Sequence, residues 1–155
     1  MRRSFSSTVN SVIEQSDIVL EVIDARFPEE TRNHGLEKRI ITKGKKIIVV
    51  INKSDLAGVE RVREAKKKIA EDFPTVFVSS KPKRGRIKLM EEMGKAAESK
   101  KIVVGIIGYP NTGKSSVINM LKGKKVARTS RKAGFTRGQQ FARVNENVML
   151  IDSPG

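Results

Sequence analysis

Gly108 to Ser115 reads Gly-Tyr-Pro-Asn-Thr-Gly-Lys-Ser, a match to the pattern G-x-x-x-x-G-K-[ST]. It comes directly after the apolar run Lys101 to Ile107 and before a stretch of helical period, which is the context the pattern needs. The chemistry such a loop performs is phosphate binding. Successive backbone N–H groups form a concave nest, and the positive end of the following helix adds to their field. Thr112, Gly113, Lys114, Ser115 and Ser116 are the residues expected around the phosphates. The Lys114 ammonium would reach the β- and γ-phosphates, and the Ser115 hydroxyl would bind Mg²⁺.

Three further segments fall at the ends of apolar runs. Asn52 to Asp55 reads Asn-Lys-Ser-Asp and resembles the guanine-reading motif of GTPases. The Asp55 carboxylate can accept from both guanine N1–H and the exocyclic amine, a pair of donors that adenine lacks. Asn52 would brace the loop and contact the base edge, and the Lys53 stem would cover a ring face. Ser79-Ser80-Lys81 is similar to the Ser-Ala-Lys motif, whose middle residue offers a backbone N–H to guanine O6; serine at 80 is small enough to keep a main-chain contact. Asp152 to Gly155 reads Asp-Ser-Pro-Gly and resembles the D-x-x-G motif. There Asp152 would hold Mg²⁺ and the Gly155 N–H would meet the γ-phosphate. Thr136, in Gly-Phe-Thr-Arg-Gly, is the candidate switch threonine that closes on Mg²⁺, with Thr129 as its competitor. Lys114, Thr136 and Asn111 are thus the candidate catalytic residues, and Ser115, Thr136 and Asp152 the candidate metal ligands.

The elements that must position these residues are legible in hydrophobic period. Strands are expected at 18–23, 46–51, 75–79, 101–107, 139–144 and 147–151. Helices are expected at 5–15, 33–42, 58–72, 86–98 and about 114–122. Val9, Val12 and Ile13 form the apolar side of the first, and Val59, Val62, Ala65 and Ile69 recur at helical spacing in the third. Near-continuous Ile/Val runs joined by helices predict an α/β fold of three layers, with a mostly parallel sheet covered on both faces. Ligands in such sheets bind at the carboxyl ends of the strands, where all four motifs lie.

Composition narrows the classes. The chain has 155 residues, of which 32 are Lys or Arg and 17 Asp or Glu, a net charge of +15. A small domain needs only about 2–8 charges for solubility, so the excess predicts a polyanionic partner, most simply nucleic acid; a charge-rich solvated surface is the competing reading. Basic runs stand at 43–46, 81–86 and 122–132. Cysteine is absent, which excludes disulfides and thiolate metal sites, and a lone His34 excludes a His-rich metal centre. No apolar run is long enough to span a bilayer. A monomer in the cytoplasm is expected.

An ordinary GTPase runs P-loop, switch threonine, D-x-x-G, N-K-x-D, Ser-Ala-Lys. Here the order is NKSD, SSK, P-loop, Thr136, DSPG. A site depends on where strand ends meet rather than on chain order, so rejoined termini can preserve the chemistry. The order resembles that of the circularly permuted GTPases, and most of all the YlqF/YawG ribosome-assembly family. That family also carries a stretch similar to Asp24-Ala-Arg-Phe-Pro to Arg32-Asn33 here. The resemblance covers residues 5–155. It implies a six-stranded G domain with one antiparallel edge strand, GTP and GDP binding, slow Mg²⁺-dependent hydrolysis, and a switch role in large-subunit maturation. On this reading residues 1–155 are a permuted G domain, without the switch helix and RNA-binding domain that follow D-x-x-G in the family.

Bacterial relatives of this type carry an N-terminal histidine proposed to assist hydrolysis, and residues 1–17 contain none. The sequence names no water-positioning residue. Asn111 supplies another device: GTPases with Asn at this P-loop position often use K⁺ as a fixed charge between the phosphates. A loop-closing role is the alternative for Asn111. A nucleotide-gated RNA- or ribosome-binding module with negligible turnover is the alternative for the whole chain. The motif order argues against a translation factor or tRNA-modifying GTPase.

Overall fold

The computed structural model describes residues 5–81, 83–123 and 140–152. Its elements in chain order are α1 (Phe5–Gln15), β1 (Ile18–Asp24), α2 (Pro28–Thr31), α3 (His34–Thr42), β2 (Lys46–Asn52), α4 (Val59–Ile69), β3 (Thr75–Phe77), β4 (Ser79–Ser80), β5 (Lys83–Arg84), α5 (Arg86–Ala96), β6 (Ile102–Ile107), α6 (Lys114–Lys122), β7 (Gln140–Arg143) and β8 (Val148–Asp152). The main sheet has the order β3-β2-β1-β6-β8-β7. Every pairing in it is parallel except β7 with β8, the antiparallel edge expected from the sequence.

Alternation along the strands splits the core in two. Leu20, Val22, Ile48, Val50, Val104 and Ile106 face the layer holding α5 and α6, where Leu89, Met93, Val117 and Leu121 close over them. Val19, Ile23, Val49 and Ile51 face the layer of α1, α3 and α4, against Val12, Ile13, Ile40, Val62 and Ile69. Both faces are therefore apolar, which is why the strands read as continuous runs rather than alternating ones. The chain builds outward from β1 through β2 to β3, then returns to lay β6 on the other side of β1. Strand order thus reverses between β1 and β6, the place where such sheets bind ligands.

Most element boundaries fall within one or two residues of the sequence reading, with the helix expected at 86–98 ending at Ala96, and two of the differences have a clear physical reason. The single strand expected at 75–79 ends in the main sheet at Phe77. Val78 still donates to the Ile51 carbonyl (2.8 Å), but β2 stops at Asn52, so Ser79 and Ser80 have no strand beside them and pair with Lys83 and Arg84 instead. Gly85 lets the chain turn back: its φ is +92°, and a Cβ there would lie 2.4 Å from the Phe77 carbonyl oxygen. The helix expected at 58–72 ends at Ile69, and Pro74 returns the chain to an extended path three residues after Glu71.

One buried residue breaks the apolar pattern. Glu21, in the central strand, is 1% exposed and accepts a hydrogen bond from the Asn33 N–H (2.8 Å). Beside it Arg32 is forked onto Glu37 (2.8 and 3.2 Å) and reaches Asp72 (3.3 Å). Burial, and after it the facing Glu37 carboxyl, push the Glu21 pKa up to about 9 from the ordinary 4.5. In the unfolded chain Glu21 ionises near the ordinary value, whereas the fold holds its proton. The stabilisation is complete below about 4.5 and is lost as pH rises through about 9. Glu21→Gln keeps an acceptor for Asn33 and removes the titration. Between pH 6 and 9 the parent's urea midpoint should fall further than that of Glu21→Gln; equal falls would show Glu21 ionised in the fold.

Candidate functional site

The carboxyl ends of β1, β2, β6 and β8 meet around the loop Gly108–Ser115. Asp24 and Asn52 are register partners at the ends of β1 and β2, and Asp152 pairs with Ile106 at the end of β8. The sheet thereby sets three polar side chains along one edge, with the loop above them.

The loop is closed from inside. The Thr112 hydroxyl donates to the Tyr109 carbonyl (2.8 Å), and Thr112 is buried. Asn111 and Gly113 take left-handed backbone angles, φ 70° and 85°. Gly113 is required twice over, because a Cβ there would also stand 2.3 Å from Asn52 Nδ2. The Ser116 hydroxyl donates back to the Gly113 carbonyl (2.8 Å) at the start of α6.

Asn52 then ties the second motif to the first. Buried at the end of β2, it donates through Nδ2 to the Thr112 carbonyl (2.9 Å) and lies within 3.3 Å of the Gly113 carbonyl and 3.4 Å of Ser116 Oγ. Lys53 follows in the left-handed conformation, φ 62°, which aims its side chain back across the loop. Its ammonium donates to the Asn111 carbonyl and lies 3.2 Å from Asp24 Oδ2. Asp24 is itself gripped by Arg26, through Nε (3.1 Å), a second guanidinium nitrogen (2.8 Å) and the backbone N–H (2.9 Å). The Arg26 hydrogen bond, helped by Lys53 and working against partial burial, holds Asp24 down to about 2. Asp24 is therefore a permanent anion between two cations. Its role had no counterpart in the motif reading, although the strand-end Asp-Ala-Arg stood out there.

The phosphate lysine is placed by the last strand. Lys114 is the first residue of α6, and its ammonium pairs with Asp152 Oδ1 at 2.8 Å, both side chains being largely shielded from solvent. Ser115 beside it is exposed, as is Asp55, in the 3-10 turn Ser54–Leu56. Ser79 is buried and Ser80 and Lys81 are exposed on the β4 hairpin. The structure thus gathers Asn52, Lys53, Thr112, Gly113, Lys114, Ser116 and Asp152 through direct contacts. It sets Asp55, Ser79, Ser80 and Lys81 on the two loops that flank them. Thr136 and Gly155 lie outside the described residues. His34 is exposed, 3.5 Å from Glu37 and 3.6 Å from Glu29, a surface polar residue.

Of the basic runs, 43–46 sits at the amino end of β2, opposite the site. There Lys43 pairs with Glu14 and Lys46 with Glu98. The run at 81–86 lies on the site's side, and 122–132 is described only as far as Gly123. The runs at 43–46 and 81–86 thus stand at opposite ends of the sheet.

A parallel sheet with a phosphate loop at its reversal point and an Asn-Lys-x-Asp turn bonded to that loop defines a P-loop GTP-binding domain. Comparisons with known proteins agree. Residues 103–155 match the family model "50S ribosome-binding GTPase" and residues 2–103 match "Elongation factor Tu GTP binding domain". The chain is 47% identical over 151 residues to the uncharacterized GTP-binding protein MJ1464 of Methanocaldococcus jannaschii, covering 95% of this chain and 40% of that one. It is 34% identical to human guanine nucleotide-binding protein-like 3 (99% of this chain, 33% of the relative). With nucleolar GTP-binding protein 2 of Neurospora crassa it shares 38% identity (93% and 25%). The crystal structure of YjeQ from Thermotoga maritima superposes with a TM-score of 0.65 at 25% identity, over 90% of this chain and 48% of that one. The chain belongs to the circularly permuted GTPases of YlqF type. It spans between a quarter and two-fifths of the length of these curated relatives.

Among the described residues no helix is long and apolar enough to cross a membrane.

Proposed function

We propose that residues 1–155 form a permuted G domain that hydrolyses GTP to GDP and phosphate, slowly on its own, as a cytoplasmic switch in assembly of the large ribosomal subunit. The observation that carries the nucleotide part is the hydrogen bond from Asn52 to the Thr112 carbonyl, which makes the base-reading turn and the phosphate loop one rigid unit. Support for the ribosomal part comes from the descriptions of the matched family and of the nucleolar relatives.

In this reading Asp55 reads guanine N1–H and the exocyclic amine, the Lys53 stem covers the ring, and the β4 hairpin with Ser79, Ser80 and Lys81 approaches O6. The phosphates lie on the N–H groups from Asn111 to Ser116. Lys114 exchanges Asp152 for phosphate. The Asp152 carboxylate and the Ser115 hydroxyl, with Thr136, are hard oxygen donors of the kind Mg²⁺ takes, and the metal would neutralise charge developing on the phosphates. The Gly155 N–H would meet the γ-phosphate.

Asn111 bears on rate. Its backbone carbonyl accepts from Lys53, while its side chain is exposed and available to a K⁺ between the phosphates. Replacing Na⁺ by K⁺ at constant ionic strength should raise turnover by about tenfold or more, and Asn111→Ala should remove the rise while GDP binding stays. Phosphate release, measured with and without ribosomal subunits, checks this. Equal rates in both salts under both conditions return Asn111 to loop closure. Rates at background throughout would favour a nucleotide-gated binding module.

A further inference from the structure

At the edge of the sheet lies a groove whose inner end, at Ser54, Asp55 and Ser79, is shared with the base-reading loops, and whose outer part the nucleotide chemistry leaves unused. It has a volume of about 460 Å³, and Val59, Val62, Arg63, Phe77 and Arg84 line it, with Asp55 among its remaining walls. On β3, the edge strand on this side, Val76 faces the α5 and α6 layer, as does Val78 just past it, so Phe77 lies on the α4 face and remains 39% exposed. Helical spacing puts Val59, Val62, Arg63 and Lys66 on one stripe of α4, facing it. Val59, 65% exposed, stands at the mouth of the groove. The Lys66 ammonium lies 5.4 Å from the Phe77 ring centroid. Across the groove the β4–β5 hairpin presents Lys83 and Arg84, both exposed. The floor is thus apolar with a partly exposed aromatic ring, the walls carry Arg63 and Arg84 against the carboxylate of Asp55, and Lys66 over the ring and Lys83 on the hairpin add positive charge at the rim.

An apolar floor with an aromatic ring between cationic walls fits one class of partner better than others. Single-stranded nucleic acid offers a flat π-face to the ring and a phosphate chain to the walls. A duplex hides its base faces and would touch only the rims. An acidic peptide would use the walls but has no need of the ring.

We propose that this groove seats a single-stranded RNA segment, one base stacked on Phe77 and the flanking phosphates on Arg63, Lys66 and Arg84. The proposal rests on the reading that the chain has an RNA partner and assigns that partner a surface. Because Asp55 lines the groove's end, the docked strand lies next to the base-reading turn, so nucleotide state and RNA meet at one loop.

The test is fluorescence anisotropy of a fluorescein-labelled 12-nucleotide oligoadenylate with protein saturated with GDP. Binding should be salt-sensitive. Phe77→Ala and Phe77→Leu should each weaken it by about tenfold or more, and Phe77→Tyr should not, because stacking on an aromatic ring is lost in the first two alone. The double substitution Arg63→Ala with Lys66→Ala should lower the log–log salt slope by about 1.4, two phosphate contacts on a single strand. GDP affinity should be unchanged in every variant, which shows that the fold is intact. RNA binding that is indifferent to Phe77, that prefers a 12-base-pair RNA duplex, or that GDP displaces would overturn the groove while leaving an RNA partner in place. No binding at low salt would overturn both, and GDP binding would still test the nucleotide reading separately.

Discussion

Asp55→Asn should convert a guanosine-nucleotide binder into one that prefers xanthosine nucleotides. Asp55 sits in the exposed turn that directly follows Lys53, whose left-handed backbone swings that turn over the loop. Ionised, it has acceptors only, matching the two adjacent donors of guanine. An asparagine offers one acceptor and one amide donor. Guanine then loses a charge-assisted hydrogen bond and sets its exocyclic amine against another donor. Xanthine carries a carbonyl at that position and restores the pair. Hydrogen bonds to charged groups are worth about 1.5–3 kcal/mol each, so GDP affinity should fall by on the order of a hundredfold or more, and that for xanthosine diphosphate should rise. Competition calorimetry with both diphosphates reads the ratio. A parallel loss for the two would mean that Asp55 shapes the turn and does not read the base.

Most of the frame was visible in the residues, for identifiable reasons. The Ile/Val runs at 18–24, 46–52 and 102–107 are buried on both faces, and only parallel central strands produce that pattern. Lys114–Lys122 follows a glycine at the end of a phosphate loop, which fixed its first turn. The antiparallel edge could be read from two short runs around Asn145 and Glu146, whose turn places the Asn145 side chain on the N–H groups of Asn147 and Val148 (2.7 and 3.0 Å). What stayed hidden depends on tertiary neighbours. Nothing local says that Ser79-Ser80 must leave the sheet; the reason is where the neighbouring strand β2 ends. α2 has four residues, too short for hydrophobic period to register.

The site shows the same division. Motif spacing identified the residues that would touch nucleotide, because their chemistry demands fixed types at fixed intervals. The residues that hold those groups were silent, since any partner of opposite charge at the right place would serve. Asp24, which steadies Lys53, and Arg32, which forks onto Glu37 beside Glu21, belong to the one stretch that matched a family pattern without a chemical role. Glu21 reads as one polar letter in an apolar strand, the single local sign of a buried ionisable group. The 43–46 run illustrates the converse: it looks like a patch for polyanions, yet Lys43 and Lys46 pair with Glu14 and Glu98 of the same chain and Lys45 donates to the Glu14 carbonyl.

Asn52 offers the most severe test of the arrangement. Its amide is buried where β2 ends, and its NH₂ group faces two carbonyls and a hydroxyl oxygen of the phosphate loop. Asn52→Ala removes the donor and leaves the buried Thr112 carbonyl short of a partner, a cost of about 1–3 kcal/mol. Asn52→Asp is nearly isosteric but worse. It turns the donor into a carboxylate aimed at oxygen atoms, at a buried position beside Lys53, whose ammonium is already held by Asp24 and the Asn111 carbonyl. An uncompensated buried charge costs about 3–5 kcal/mol. Urea unfolding at neutral pH should therefore rank the parent above Asn52→Ala and Asn52→Asp last. GDP affinity should follow the same order, because the Asn52 amide, with the Lys53 ammonium, joins the base-reading turn to the phosphate loop. At low pH the aspartate regains a proton it can donate to the Thr112 carbonyl, so the gap between the two variants should narrow. If Asn52→Asp matched the parent in stability and in GDP affinity, the two motifs would be joined by some other contact and Asn52 would be a bystander at the strand end.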